Sequence, residues 1–224
     1  MADFKKIKYP TGTSPRGVAR FAHLNEADTY EGKVAFKVDL MVPASEAQDL
    51  ITRIENLLAA LASGDAKVHA LLSEDEIKRM TTALKTKKLK PHDPAAFGPK
   101  TDKEGNVDES TIVFKFKKNG EYKDKKGAAV ATTLPLFSAS GAKSDAKVGG
   151  GSEIKVAYEL RPWVNAKSEY GVKLAMSAVQ VLVAQSGGGG GAAADYGFGN
   201  EGPDEEGETT AAPKPAVDDS DPDF

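Results

Sequence analysis

The chain has 224 residues, with 30 Lys and Arg against 33 Asp and Glu, and it contains no Cys. This length is sufficient for one or two domains with a buried core, and the lack of cysteine excludes disulfide scaffolds, thiolate metal sites and cysteine nucleophiles. No apolar run reaches the roughly 18 residues of a membrane-spanning helix, and residues 1–10 are charged and lack the apolar segment of a secretory signal. We therefore expect a cytoplasmic protein with no membrane association.

The first predicted elements are strands followed by helices. Two strands are predicted, around Ala19–Leu24 and over Lys33–Val42. The second of these alternates apolar and polar residues, which is typical of a half-buried strand. Ser45 with Gln48 has the spacing of a capping box and predicts the start of a long amphipathic helix, and Ser73 with Glu76 does the same for a shorter one.

In the later part of the chain, apolar residues recur at every second position. Four more strands are predicted, over Ile112–Lys117, Ala128–Phe137, Glu153–Arg161 and Val172–Val183. In the last of them the apolar positions change parity near Ala178, which predicts a bulge or a bend. Five or six strands joined mainly by turns, with one or two helices, predict a mainly β protein built as a small antiparallel barrel or sandwich.

The charges divide the chain into two regions. Residues 195–224 contain ten acidic residues and one basic residue, a net charge of −9, so residues 1–194 carry 29 basic and 23 acidic groups, a net charge of +6. Five glycines, Gly187–Gly191, separate these regions, and the sequence after them has no apolar periodicity. We predict one folded domain over residues 1–186 and a Gly-rich linker with a disordered acidic tail over residues 187–224.

Sequence motifs for catalysis are missing. His23, His69 and His92 lie far apart, without the spacing of metal ligands. Gly149–Ser152 lacks the lysine of a phosphate loop and precedes a strand instead of a helix. No serine lies in a nucleophile elbow. We predict a protein that is not an enzyme and that has no metal and no cofactor.

Basic and aromatic residues are the remaining functional signal. Lysines share the exposed faces of two predicted strands, and an arginine precedes the single tryptophan at the end of a third. The candidate binding residues are Lys33, Lys37, Lys115, Lys117, Arg161 and Trp163. Taken singly, each lysine fits ordinary solubility, and Trp163 fits packing in the core or at its rim. Taken together, they fit a cationic groove with an aromatic platform for single-stranded nucleic acid, a surface typical of an OB-fold.

Several segments, in order along residues 18–224, resemble one known family. They are Phe36–Leu40, Leu89–Pro91, Phe114–Lys117, Gly149–Tyr158, Val172–Leu174, the glycine run and the pair Asp223-Phe224. In these segments the chain resembles the single-stranded DNA-binding protein of T-seven-type bacteriophages. It departs from that family in having Lys33 in place of an arginine, Trp163 at a tyrosine-like position, and a tail interrupted at Thr209–Val217.

The resemblance implies an OB-fold-like barrel that binds single-stranded DNA without sequence preference in phage replication, recombination and repair. It also implies a homodimer in the cytoplasm of an infected bacterial cell. The acidic tail is implied to recruit the phage DNA polymerase and helicase-primase. The charge difference between the two regions and the glycine run predict in addition that the tail competes with DNA for the groove. The candidate residues for partner binding are Asp218, Asp219, Asp221, Asp223 and Phe224.

Two other classes of function are a protein-interaction module and a nuclease. In a protein-interaction or assembly module the acidic tail would be the functional element, and the lysines of residues 1–194 would serve solubility alone. A nuclease would need a cluster of carboxylates, and the acidic residues before the tail show no such grouping in sequence.

Overall fold

The computed structural model describes residues 7–185, which fold mainly as β-structure. The strands are β1 (Thr11–Thr13), β2 (Gly17–Tyr30), β3 (Lys33–Pro43), β4 (Lys90–Pro91), β5 (Phe97–Thr101), β6 (Val107–Asn119), β7 (Glu121–Lys123), β8 (Ala129–Ala131), β9 (Leu136–Phe137), β10 (Glu153–Val164) and β11 (Glu169–Val183). The helices are α1 (Ala44–Ser63), α2 (Ala66–His69) and α3 (Glu74–Lys85). Within residues 7–185 no helix is long and apolar enough to span a membrane. The predicted tail, with its candidate partner-binding residues, lies outside the described residues.

Five long strands close into a ring. β2 pairs with β3, β3 with β6, β6 with β11, β11 with β10, and β10 returns to β2. The order is that of an OB-fold-like barrel, which confirms the predicted fold class. One detail differs from the antiparallel expectation, since β6 and β11 run parallel. A closed ring with an odd number of strands cannot be antiparallel at every junction, so one parallel pair is unavoidable.

The core fills the barrel and the space between the barrel and α1. Inward-facing side chains of the long strands are almost completely buried, among them Leu40, Phe114, Phe116, Leu160 and Leu174. One face of α1 joins the same cluster through Ala47, Leu50, Ile54 and Leu61. Each buried Leu or Phe side chain contributes about 1.5–3 kcal/mol of transfer free energy. The outer faces of the strands are thereby free to carry polar residues.

The two predicted capping boxes had different outcomes. The box at Ser73 and Glu76 is confirmed, since the Ser73 hydroxyl accepts the Glu76 backbone N–H and the Glu76 carboxylate accepts the Ser73 backbone N–H. The box at Ser45 and Gln48 is wrong. α1 begins at Ala44, directly after β3, and no side chain caps it. Ser45 therefore lies inside the first turn and not at the N-cap.

The later strands also show one agreement and one difference. The bulge near Ala178 is confirmed, because Ala157 pairs with Ala178 and Tyr158 with Met176, which leaves Ser177 without a partner. The single strand predicted over 128–137 is divided into β8 and β9. β8 ends at Ala131. The backbone N–H of the next residue, Thr132, donates to the carbonyl oxygen of Gly120 at the base of the β7–β8 hairpin.

Candidate nucleic-acid interface

A groove opens at one edge of β6. Along that edge β6 pairs with β5 up to Phe114 and with β11 from Phe116 onward. Between these two partners lies a cavity of about 680 Å³, covered on one side by residues 91–96. The residues that line it include Lys37, Asp39, Lys115, Lys117, His92, Trp163, Tyr170 and Lys173. Four of the six predicted binding residues thus line one surface, although they come from three different strands.

The lysines of β3 and β6 are placed by strand register. Lys37 lies directly opposite Lys117, and Asp39 lies opposite Lys115, on the outer face of the barrel. Lys115 and Lys117 are both exposed, while Phe114 and Phe116, which alternate with them, are buried. The alternation that fills the core with phenylalanine therefore presents lysines at the groove.

Lys173 brings a basic residue from a third strand, β11, to the groove, and it was not among the candidate binding residues. Burial, together with the positive charges of Arg161 and Lys117, lowers the pKa of Lys173 below the usual value for lysine. Its Nζ donates to Asn119 Oδ1 at 3.5 Å. Its ammonium group therefore lies in a partly desolvated site near other cations, which favours the entry of an anion.

Two acidic residues modify this positive surface. Burial raises the pKa of Asp39 above its ordinary value, although Lys115, Arg20 and Lys37 act in the opposite direction. Lys37 Nζ donates to Asp28 Oδ2 at 2.5 Å, and this hydrogen bond lowers the pKa of Asp28. Lys37 is thus held in place by a carboxylate, whereas Lys115 and Lys117 have no side-chain ion pair among the described residues.

Trp163 lies near the end of β10, next to β11. It pairs with Gly171, and a Cβ atom at position 171 would lie 2.7 Å from Trp163 Cζ2. The absence of a side chain at Gly171 therefore lets the indole lie against the backbone. His92 meets it edge-on, with ring centroids 5.1 Å apart at an interplanar angle of 70°. The indole is partly exposed and faces the cavity, a position suited to stacking on a base.

A polar cluster fixes His92 and the chain around it. Glu169 Oε2 accepts a hydrogen bond from Asn165 Nδ2 at 2.9 Å and lies 3.2 Å from His92 Nδ1. Its other oxygen lies 3.4 Å from Lys90 Nζ. These partners, Asn165 foremost, lower the pKa of Glu169 to about 2. The cluster joins β4 to β11 and so holds residues 91–96 at the rim of the groove.

Lys33 and Arg161 lie apart from the groove lining. Lys33 is exposed at the end of the β2–β3 hairpin, four residues before Lys37 and therefore roughly 13 Å away along the strand. Arg161 is ion-paired with Glu159, and its guanidinium lies 5.0 Å from the ring centroid of Tyr9. Arg161 still acts on the groove through its charge, which reaches Lys173.

Three residues that line the groove, Lys173, His92 and Tyr170, were not predicted from the sequence. Lys173 alternates with the buried Val172 and Leu174, so its outward direction could be predicted but not its neighbours. His92 and Tyr170 follow no periodic pattern. No group of three or more potential metal ligands occurs in the part of the chain that the structure describes.

Comparisons with known proteins agree on one kind of protein. A family model described as "Single-stranded DNA-binding protein, Bacteriophage T7" matches residues 15–184. The crystal structure of gp2.5, a single-stranded DNA-binding protein encoded by bacteriophage T7, is similar with 25% identity and a TM-score of 0.57, covering 79% of this chain and 93% of that one. Curated protein sequences give no match.

Two structures of the single-stranded DNA-binding protein from bacteriophage Enc34 show weaker similarity. The first has 9% identity and a TM-score of 0.48, and covers 84% of this chain and 90% of that one. The second, in complex with single-stranded DNA, has 11% identity and a TM-score of 0.49, with coverage of 80% and 89%.

Proposed function

The chain belongs to the family of the bacteriophage T7 single-stranded DNA-binding protein, and we propose that it binds single-stranded DNA without sequence preference through the groove beside Trp163. The family resemblance drawn from the sequence is confirmed. So is the prediction of a protein that is not an enzyme, since this is a family of binding proteins. What carries the proposal is the meeting of lysines from β3, β6 and β11 with the only tryptophan at one cavity.

The basic and the aromatic residues of the groove would make two different kinds of contact with DNA. Lys115, Lys117 and Lys173 present ammonium groups suited to phosphate oxygens, which all DNA sequences share. Trp163 presents an aromatic face, and every base has a π-face to stack on it. Neither contact reads the edge of a base, so binding without sequence preference follows from the types of residue involved.

A titration of the full chain with poly-dT, followed by Trp163 fluorescence, tests this function. We expect quenching on binding, an affinity that falls steeply with salt as counterions are released, and much weaker binding to duplex DNA of the same length. Wild-type protein that shows no quenching at low salt would contradict DNA binding. That result would favour the assembly module in which the acidic residues 195–224 are the functional part.

We propose further that the protein acts in phage DNA replication, recombination and repair, as a homodimer in the cytoplasm of an infected bacterial cell. Support for these roles comes from the sequence resemblance to the family. The acidic residues around Asp218–Asp223, together with Phe224, would bind the phage DNA polymerase and helicase-primase. The net charge of −9 over residues 195–224 supports competition between this segment and DNA for the basic groove.

A further inference from the structure

Phe21 has a conformation and an exposure that packing does not explain. It lies in β2 with φ at 51°, in the left-handed region that bulky residues rarely adopt. Its side chain is 60% exposed and has no part in the core. Glycine would accept this backbone without strain. A strained residue whose aromatic ring faces solvent points to a role outside folding.

A β-bulge turns Phe21 outward. Arg20 pairs with Asp39 and His23 pairs with Lys37, so β2 has one residue more than β3 between these pairs. Phe21 lies in that extra length. Asp39 and Lys37 line the groove, so the bulge places Phe21 on the neighbouring strand, between the pairing partners of these two residues.

A cation lies over the Phe21 ring. The Arg20 guanidinium carbon lies 4.5 Å from the centroid of the Phe21 ring, within the range of a cation–π contact. The charge of Arg20 also acts on Asp39, so it belongs to the same electrostatic surface as Lys115. Phe21 and Arg20 therefore combine an aromatic ring and a basic residue next to the strand that lines the groove.

We propose that Phe21 is a second base-stacking platform for single-stranded DNA and that the strand runs across the barrel from Trp163 to Phe21. This inference rests on the proposed function. From Trp163 on β10 through β11, β6 and β3 to Phe21 on β2 there are four steps between strands, roughly 19 Å at a spacing of ~4.8 Å. At a stacking rise of ~3.4 Å, that span is about five to six nucleotides. The phosphates between the two platforms pass over Lys117 and Lys37.

The test places a fluorescent reporter on the second platform. In a Trp163→Phe background, which lacks the only native tryptophan, Phe21→Trp puts a single indole at position 21. We expect poly-dT to quench this indole at low salt. The matched control is Val107→Trp in the same background, because Val107 is 56% exposed and lies eight residues from Lys115 along β6, roughly 26 Å away. Its fluorescence should not change, and equal quenching at both positions would overturn the inference.

A second measurement removes the ring without adding strain. Phe21→Gly should reduce the affinity of the otherwise wild-type chain for poly-dT about tenfold and shorten the site size by at least one nucleotide. The control is Tyr122→Gly, at another exposed aromatic residue, which should change the affinity less than twofold. If wild-type protein binds poly-dT and Phe21→Gly binds it equally well, the second platform is wrong and the proposed function stands. If wild-type protein does not bind, the proposed function itself fails. A change in oligomeric state with unchanged DNA affinity would make Phe21 a contact between subunits and would also overturn the inference.

Discussion

At the scale of single residues, Lys115 and Lys117 test the phosphate contacts. They project from alternate positions of β6 into the groove. Replacing both with alanine should weaken single-strand binding about equally for all sequences. It should also flatten the slope of log K against log salt by ~1.4 or less, since each phosphate contact on a single strand contributes about 0.7. Exposed lysines that do not line the groove provide the control, as Lys67→Ala with Lys78→Ala. If the double mutant kept the wild-type salt slope, Lys115 and Lys117 would not contact phosphates, and β6 would not be part of the interface.

Lys173 gives a prediction in which stability and binding change in opposite directions. Its pKa is lower in the folded chain than in the unfolded one, so the unfolded state binds more protons and stability rises as pH increases through the folded pKa toward 10.5. At neutral pH the charged Lys173 therefore costs stability. Lys173→Met should raise the midpoint of urea unfolding and lower DNA affinity by several-fold. Lower stability together with lower affinity would show that Lys173 supports the fold and not the interface.

At the scale of elements, β11 supplies the support for the tryptophan. Trp163 lies against Gly171. The cluster around Glu169 holds residues 91–96 at the rim of the groove. Glu169 has a depressed pKa of about 2. Its contribution to stability is therefore complete above its unfolded pKa near 4.5 and is lost as pH falls toward 2. At neutral pH this support is fully formed.

Gly171→Ala should disturb the platform without removing a binding group. The new Cβ would lie 2.7 Å from the indole, so the ring must tilt or shift. We expect a loss of several-fold in single-strand affinity, compared with the ~1–3 kcal/mol lost when the stacking ring is removed in Trp163→Ala. Trp163→Phe should lose much less than Trp163→Ala. If Gly171→Ala changed only the thermal midpoint of unfolding and left affinity intact, the indole would belong to the packing of the barrel.

The elements also show how far the sequence could predict this site. Alternation along β3 and β6 placed Lys37, Lys115 and Lys117 outward, because a strand has a period of two whatever its neighbours are. Lys173 comes near Lys117 only through the parallel contact between β6 and β11, which pairs residues 58 positions apart. That contact follows from closing a ring of five strands, and local periodicity carries no information about it. The same holds for residues 91–96, which reach the groove through β4 and have no pattern of their own.

At the scale of the whole molecule, substitution of Phe224 tests whether the proposed recruitment of partners can be separated from the binding of DNA. Phe224→Ala removes an aromatic ring and leaves all ten acidic side chains of residues 195–224 in place. We expect unchanged affinity for poly-dT and loss of binding to the phage DNA polymerase. The comparison variant is Asp218→Asn with Asp219→Asn, which keeps the ring and lowers the charge. Normal polymerase binding by Phe224→Ala would assign recruitment to the acidic residues alone.

Removal of residues 187–224 tests whether the acidic segment competes with DNA for the groove. The sequence predicts a flexible chain of 38 residues, whose end-to-end distance would be about 34 Å. A folded domain of 186 residues has a radius of gyration of about 16 Å. The acidic groups could therefore reach the lysines of their own chain or of a partner subunit. Their effective concentration there would be on the order of millimolar. Truncation after residue 186 should therefore tighten binding to poly-dT several-fold at low salt. The gain should disappear at high salt, where the Debye length falls to about 3 Å at 1 M and charge attraction is screened. Equal affinities of the full-length and truncated chains at low salt would contradict competition.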